Sequence, residues 1–323
     1  MKALVYTGVE TLRYQDAADP EPQDGEVLVK VESVGICGSD MHAFLGHDDR
    51  RPAPLILGHE AAGTTSDGRR VTINPLVVCG TCRSCAAGRE NLCDRRQIIS
   101  MAPRPGAFAD YVVLPERNLV QVPDAIPLEK AALAEPIAVS WHAVRLGLNA
   151  AHTDMRQSAL VIGGGAIGVA AALSFLAQGV TNVTLVEPNN LRRSYIGLDA
   201  NYRVVQPDDI SGELFDLTFD AVGFDATREM ASAATHPGGV ILHTGLGGGA
   251  AGFDIRRITL QEITVIGTYT YTDQDFKDTC AAMFSGALGP LNWTEIRPLS
   301  DGAAAFDDIR AGNTAAPKII LKP

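Results

Sequence analysis

Residues 158–193 read SALVIGGGAIGVAAALSFLAQGVTNVTLVEPNNLRR, and few folds accommodate such a stretch. ALVIG reads as a short buried strand, and Gly163, Gly165 and Gly168 follow it at once in G-x-G-x-x-G spacing. AIGVAAALSFLAQG then reads as a helix ending near Gly179, and NVTLVE as a second strand. Glu187 closes that strand nineteen residues after Gly168. A glycine triplet alone is a weak signal. Between a strand and a helix, with an acid at the end of the next strand, it is a dinucleotide-binding fingerprint in its required setting. Gly163 permits the tight turn, Gly165 lets backbone amides approach a pyrophosphate, and Gly168 lets helix and strand pack closely. Ala166 and Ile167 open the helix, whose N-terminal N–H groups and dipole favour an anion. Glu187 can accept both ribose hydroxyls of NAD and repels a 2′-phosphate, so NAD is favoured over NADP. Arg192 and Arg193 weigh the other way, because an arginine near that ribose can hold the phosphate.

Three later stretches, FDLTFDAVG, GGVILHTGLGG and EITVIGTYTYT, read as further strands of the same sheet. Ligands sit at the carboxyl ends of strands in such sheets. The turns holding Val222, Thr244, Leu246 and Thr268 are therefore expected to border adenosine and nicotinamide.

The other dense motif is CGTCRSCAAGRENLC, where Cys79, Cys82, Cys85 and Cys93 stand at spacings of three, three and eight. Two-residue gaps let neighbouring thiolates converge on one ion, and Gly80 and Gly88 let the chain bend around it. Four thiolates in tetrahedral geometry describe a closed structural zinc site. Disulfides suit a cytosolic protein of this size poorly, and an iron–sulfur cluster is the rival chemistry. A closed site has no free coordination position, so this metal is expected to brace a loop.

Scattered residues carry the remaining chemistry. VGICGSDMH holds Cys37, Ser39, Asp40 and His42; LILGHEAAG holds His59 and Glu60; LAEPIAVSWHA holds Glu135. Each stretch alone is weak. In their order, with the four-cysteine lobe between His59 and Glu135, they resemble the zinc-dependent medium-chain dehydrogenase/reductase family. GAFADYVVLPERNLVQVPD, VIGGGAIG and the final APKIILKP extend the resemblance over nearly the whole chain, which looks most like the polyol (sorbitol-type) branch.

The resemblance implies an α/β protein. A GroES-like, β-rich catalytic domain spans 1–140, a Rossmann domain with a doubly wound parallel sheet spans 141–285, and residues 286–323 return to the first domain. It implies Cys37, His59 and Glu60 as ligands of a catalytic zinc, with Glu135 as a fourth ligand or as holder of the bound water. Such an ion polarises an alcohol and lowers its pKa. Ser39 would accept the substrate proton, and His42 would continue a relay to solvent. The EPNNLRR segment resembles NAD-using relatives in which the arginine, here Arg192, lies beside the adenine. The expected reaction is hydride transfer between a secondary alcohol of a polyol and NAD. L-threonine, a simple alcohol, a polyol phosphate or an aminocyclitol are alternative substrates; a non-catalytic relative is the rival class. FLGHDDRRPAPLILGHE is expected near the substrate mouth, where His47, Asp48, Asp49, Arg50 and Arg51 could meet a charged substrate. The β-rich TVIGTYTYT is expected at a sheet edge, paired across a homodimer or homotetramer. Cys280 is expected to pack without chemistry.

Bulk properties bound these readings. A chain of 323 residues exceeds a typical single core, so two domains are expected. A net charge of −11 argues against a broad basic face for nucleic acid or anionic membrane. The first residues lack a signal-peptide pattern, and no apolar run reaches bilayer length, so a soluble cytoplasmic protein is expected.

Overall fold

The strand Glu26–Gly35 organises one half of the computed structural model, which describes residues 1–323. Its sequence alternates, burying Val29 and Val31 while Lys30 and Glu32 face solvent, so one face meets a core. Strands Glu60–Thr65 and Tyr111–Pro115 pair with it antiparallel, and so does Lys318–Lys322 through Ile320 opposite Gly35 and Leu321 opposite Val34. Thr294–Pro298 continues this sheet, parallel to Lys318–Lys322. Residues from the far end of the sequence thus lie beside residues from its start.

The other half is a parallel six-stranded sheet. Its order is Arg203–Val205, Asn182–Val186, Ser158–Ile162, Phe215–Asp220, Thr235–His243, Thr264–Gly267. The order reverses between Ser158–Ile162 and Phe215–Asp220, which opens a crevice at their carboxyl ends. The larger buried cluster, around Phe175 and Phe219, reaches across to Ala62 and Ile320 of the first sheet, and a second, around Phe108 and Phe306, lies within the first half.

Helix Ala134–Ala150 carries Glu135 in its first turn and packs on the helices Ala166–Ala177 and Asp273–Phe284. Position 140 lies inside this helix. Thr264–Gly267 is an edge strand of the parallel sheet, but TYTYT does not extend it. The chain leaves the sheet after Gly267, and Thr270 takes a left-handed φ of 46°. No helix is long and apolar enough to cross a membrane.

Candidate active site between the two sheets

Cys37, His59 and Glu60 converge although they leave different elements. Cys37 caps helix Gly38–Phe44, and Glu60 opens the strand Glu60–Thr65. One ligand atom from each lies within 4.8 Å of the others. Asp40, fully buried, arranges the approach. Its Oδ2 accepts the Cys37 backbone N–H at 3.0 Å, and its Oδ1 accepts that of Gly58 at 3.2 Å. The same Oδ1 stands 3.5 Å from His59 Nδ1, and Ser100 Oγ stands 3.2 Å from that nitrogen. Nδ1 is thereby occupied and Nε2 is left as the free donor, an arrangement that orients metal-binding histidines. Burial disfavours a charged His59, but Asp40 and Cys37 outweigh burial and raise its pKa well above the usual value.

Glu60 is fully buried against Lys318, itself buried. Lys318 Nζ lies 2.7 Å from both carboxylate oxygens but donates with hydrogen-bond geometry only to Oε1. It also donates to the Ile36 carbonyl at 2.7 Å. Oε2 has no hydrogen-bond partner. A Cβ at position 35 would stand 2.1 Å from this oxygen, so Gly35 is what gives the carboxylate room. A thiolate, an imidazole nitrogen and an orphaned carboxylate oxygen together fit a zinc ion with an open position.

Glu135, in the first turn of helix Ala134–Ala150, lies close enough to feel the charges of His59 and Glu60. Its Oε1 accepts the Tyr271 hydroxyl at 3.0 Å. Burial first, and the charge of Glu60 among its neighbours, push the Glu135 carboxyl up to about 7. It is not among the three converging donors.

Ser39 is half-buried, and Arg51 holds it. Arg51 donates to the Ser39 carbonyl at 3.2 Å and approaches its Oγ at 3.4 Å. Arg51 also donates to the Ser100 carbonyl at 3.0 Å and to Asp48 at 2.7 Å. The loop 44–60 therefore departs from a simple charged mouth: Arg51 is buried inside it, spent on Ser39, Ser100 and Asp48. Asp48 also binds Arg50, leaving His47, Asp49 and Arg50 as the exposed charges. His42 is exposed on its helix, its ring 6.5 Å from that of His47 and without a hydrogen bond.

A cavity of about 500 Å³ runs from Cys37, Glu60 and Lys318 to Gly163, Gly164, Gly165, Ala166, Ile167, Gly168, Glu187, Arg192 and Val222. A Cβ on Gly168 would strike the Gly163 carbonyl at 1.7 Å, whereas one on Gly165 would meet no protein atom within 4 Å. The turn is thus closed at its packing glycine and open in front of the helix N-terminus, where a pyrophosphate fits. Glu187 accepts the N–H groups of Gly164 at 2.8 Å and Asn189 at 2.7 Å, which fixes its carboxylate toward the cavity. Arg193 turns onto the carbonyls of Glu187 and Pro188. Arg192 stays in the cavity wall with its Nε unpartnered. The Thr244 and Thr268 hydroxyls meet at 2.7 Å, side by side at the carboxyl ends of neighbouring strands. Leu246 is exposed on the glycine-rich loop beyond them.

The four remaining site cysteines stand apart from this cleft as free thiols. Their Sγ atoms lie 3.9 Å (Cys79–Cys85), 3.6 Å (Cys82–Cys85) and 3.5 Å (Cys93–Cys79) apart. A zinc tetrahedron with bonds of about 2.3 Å has edges of about 3.8 Å; a disulfide would need about 2.05 Å. The donor set fits the ion. Backbone N–H groups of Thr81 and Cys82 donate to Cys79, and the first of these chiefly draws its thiol down to about 5. Gly80 and Gly88 sit at φ of 73° and 67°, as the tight bend requires. Cys280 is buried, and burial raises its pKa to about 12.

Sequence reasoning did not single out Lys318, Arg51 as a brace, Ser100 or Tyr271. Lys318 had a signal, a lysine inside the apolar run of APKIILKP. Ser100 shows only in the structure, at a left-handed φ of 70°.

Two family models match the chain: an alcohol dehydrogenase GroES-like domain over residues 23–124 and a zinc-binding dehydrogenase over residues 166–285. A sorbitol dehydrogenase from Arabidopsis thaliana is 30% identical over 291 residues, covering 82% of this chain and 79% of that protein. A probable D-xylulose reductase A from Neosartorya fischeri is 28% identical over 344 residues, covering 96% and 94%. The crystal structure of galactitol-1-phosphate dehydrogenase from Escherichia coli superposes with a TM-score of 0.88 at 25% identity, covering 100% of both chains.

Proposed function

This chain belongs to the zinc-dependent medium-chain alcohol dehydrogenase family, and from that premise we propose that it oxidises a secondary alcohol of a polyol or sugar alcohol to the ketose, reversibly, with NAD as acceptor. One observation carries the reading: a single cavity has Cys37 and Glu60 at one end and the glycine turn with Glu187 at the other. Bound zinc would acidify the alcohol there, and bound NAD would take the hydride at its nicotinamide.

The chain's own residues do the rest. Cys37, His59 and Glu60 hold the metal, with Glu135 as a fourth ligand or as partner of a water beside it. Ser39 Oγ takes the hydroxyl proton and passes it toward His42 at the surface. Gly163, Gly165, Ala166, Ile167 and Gly168 admit the pyrophosphate, Glu187 accepts the ribose hydroxyls, and Arg192 flanks the adenine. Val222, Thr244, Leu246 and Thr268 border the nucleoside and nicotinamide. Cys79, Cys82, Cys85 and Cys93 hold a structural zinc.

A catalytic unit of residues 1–140 and 286–323 encloses a nucleotide unit of 141–285. The edge strand Thr264–Gly267, with exposed Ile255, Leu260 and Val265 nearby, would pair in a homodimer or homotetramer. Thiols kept reduced suit the cytoplasm.

NAD reduction by zinc-loaded protein tests the proposal. The panel is sorbitol, xylitol, galactitol, L-threonine, ethanol and a polyol phosphate, each with and without chelator. Chelator-sensitive turnover of a polyol is expected. Turnover of threonine or ethanol alone would replace the substrate, and silence throughout with NAD still bound would refute the activity.

A further inference from the structure

Given the dehydrogenase reading above, on which this inference rests, we propose that the preferred alcohol carries an oxyanion, a carboxylate or a phosphate, remote from the oxidised carbon. Arg96, seconded by Arg50, receives it beside the phenol of Tyr269.

A chain of contacts leads outward from Ser39 to Arg50. Arg51 holds Ser39 and shares Asp48 with Arg50, which reaches both Asp48 oxygens at 2.7 and 3.0 Å. One carboxylate thus serves two guanidiniums. Asp49, the next residue, is exposed and pairs with neither. Arg50 is held protonated chiefly by its bonds to Asp48, with Tyr269 among the groups around it. Arg96 stands against the Tyr269 ring. Its guanidinium lies 4.9 Å from the ring centroid, with one nitrogen 3.4 Å from the hydroxyl and another on the Cys93 carbonyl at 2.9 Å.

Tyr269 belongs to the turn that links the two ends of the chemistry. Thr268, before it, meets Thr244 at the carboxyl ends of the strands. Tyr271, after it, holds Glu135. Asn91, from the cysteine lobe, fixes the turn by donating to the Tyr269 carbonyl at 2.8 Å.

Arg96 is half-buried and makes no ion pair; its hydrogen bonds go to a carbonyl and a phenol. In a chain with 38 acidic and 27 basic residues, a half-buried guanidinium that meets no carboxylate keeps N–H groups to offer an anion. The planar fork matches a carboxylate or phosphate in a way a neutral hydroxyl cannot.

The test compares each neutral polyol with its own anions: galactitol, galactonate and galactitol 1-phosphate, and sorbitol, gluconate and sorbitol 6-phosphate. Zinc-loaded protein and NAD are used throughout. We expect kcat/KM for at least one anion to exceed that of its neutral parent by about 10- to 100-fold, the range of a charge-assisted hydrogen bond. That anion's KM should rise with ionic strength between about 0.05 and about 0.5 M. Arg96→Gln should drive the anion-to-neutral ratio toward one, and Arg96→Lys should retain part of it. Arg50→Gln, at an exposed position, should lower the ratio less. If Arg96→Gln fails to fold, the salt dependence of the unaltered protein still decides. A ratio near one without salt dependence overturns the proposal, as does an unchanged ratio in folded Arg96→Gln. Turnover of neutral polyols alone sinks this inference and leaves the dehydrogenase reading standing. Turnover of none, with NAD bound, sinks both. Preference for carboxylate or for phosphate identifies which oxyanion the site takes.

Discussion

Replacing Lys318 by methionine tests how the buried Glu60 is held. The two side chains meet at 2.7 Å, and both are essentially buried. At an effective dielectric of about 20, unit charges at that separation attract by about 6 kcal/mol. Desolvation cancels part of this, but a buried charge left without its partner typically costs about 3–5 kcal/mol. At about 2–4 °C per kcal/mol, the melting temperature should fall by roughly 6–20 °C. The loss should be largest in chelator-treated protein, because a bound zinc would supply the counter-charge that Lys318 no longer gives. Lys318→Met combined with Glu60→Gln should recover most of the loss, since it removes the stranded charge along with its partner. Thermal unfolding of the three proteins, with zinc and with chelator, provides the measurement. Equal melting temperatures for the single and double variants would refute the reasoning, and so would a single-variant loss indifferent to zinc.

Arg51→Met should lower kcat by about 10- to 100-fold through loss of the charge-assisted bonds that hold Ser39, with bound zinc unchanged by metal analysis. Asp275 is buried between His142, Arg145 and Thr272. Burial works against its charge, but bonds from His142 and Arg145 win and hold the carboxyl well below the usual range. A lowered folded value means stability present above the unfolded pKa of about 3.9 and lost as pH falls below it. Asp275→Asn should therefore melt lower at pH 7 and show a shallower acid limb than the parent, read by unfolding at stepped pH. Cys82→Ser should reduce zinc from two ions per chain to one, and a zinc count still at two would reject the four-thiolate lobe.

The local part of this molecule was legible because its signals are local. The strand, glycine turn, helix and acid of residues 158–187 lie within one supersecondary unit, and each falls where the pattern puts it. Cys37, His59 and Glu60 were legible through resemblance, since nothing in their spacing brings them within 4.8 Å. What escaped depends on pairing across the chain. Tyr271 meets Glu135 across 136 residues, and TYTYT alternates like a strand although it has already left the sheet. Arg51 read as loop charge because a charge run is usually solvated; only the inward turn of the loop, with Ser39 and Ser100 facing it, makes it a brace.

The strand Lys318–Lys322 lying against Glu26–Gly35 has a consequence for biogenesis. Glu60 must find Lys318 across 258 positions, whereas Cys79 and Cys93 are separated by 14. Closing the longer loop costs about 2.5 kcal/mol more if the intervening chain is unstructured. Folding of the nucleotide unit first would shorten that loop and bring its ends together. The cysteine lobe can thus take up metal early, and the catalytic pocket is complete only once the late strand docks. Zinc uptake during refolding should divide into a fast phase set by the lobe and a slow phase that tracks docking of the strand Lys318–Lys322.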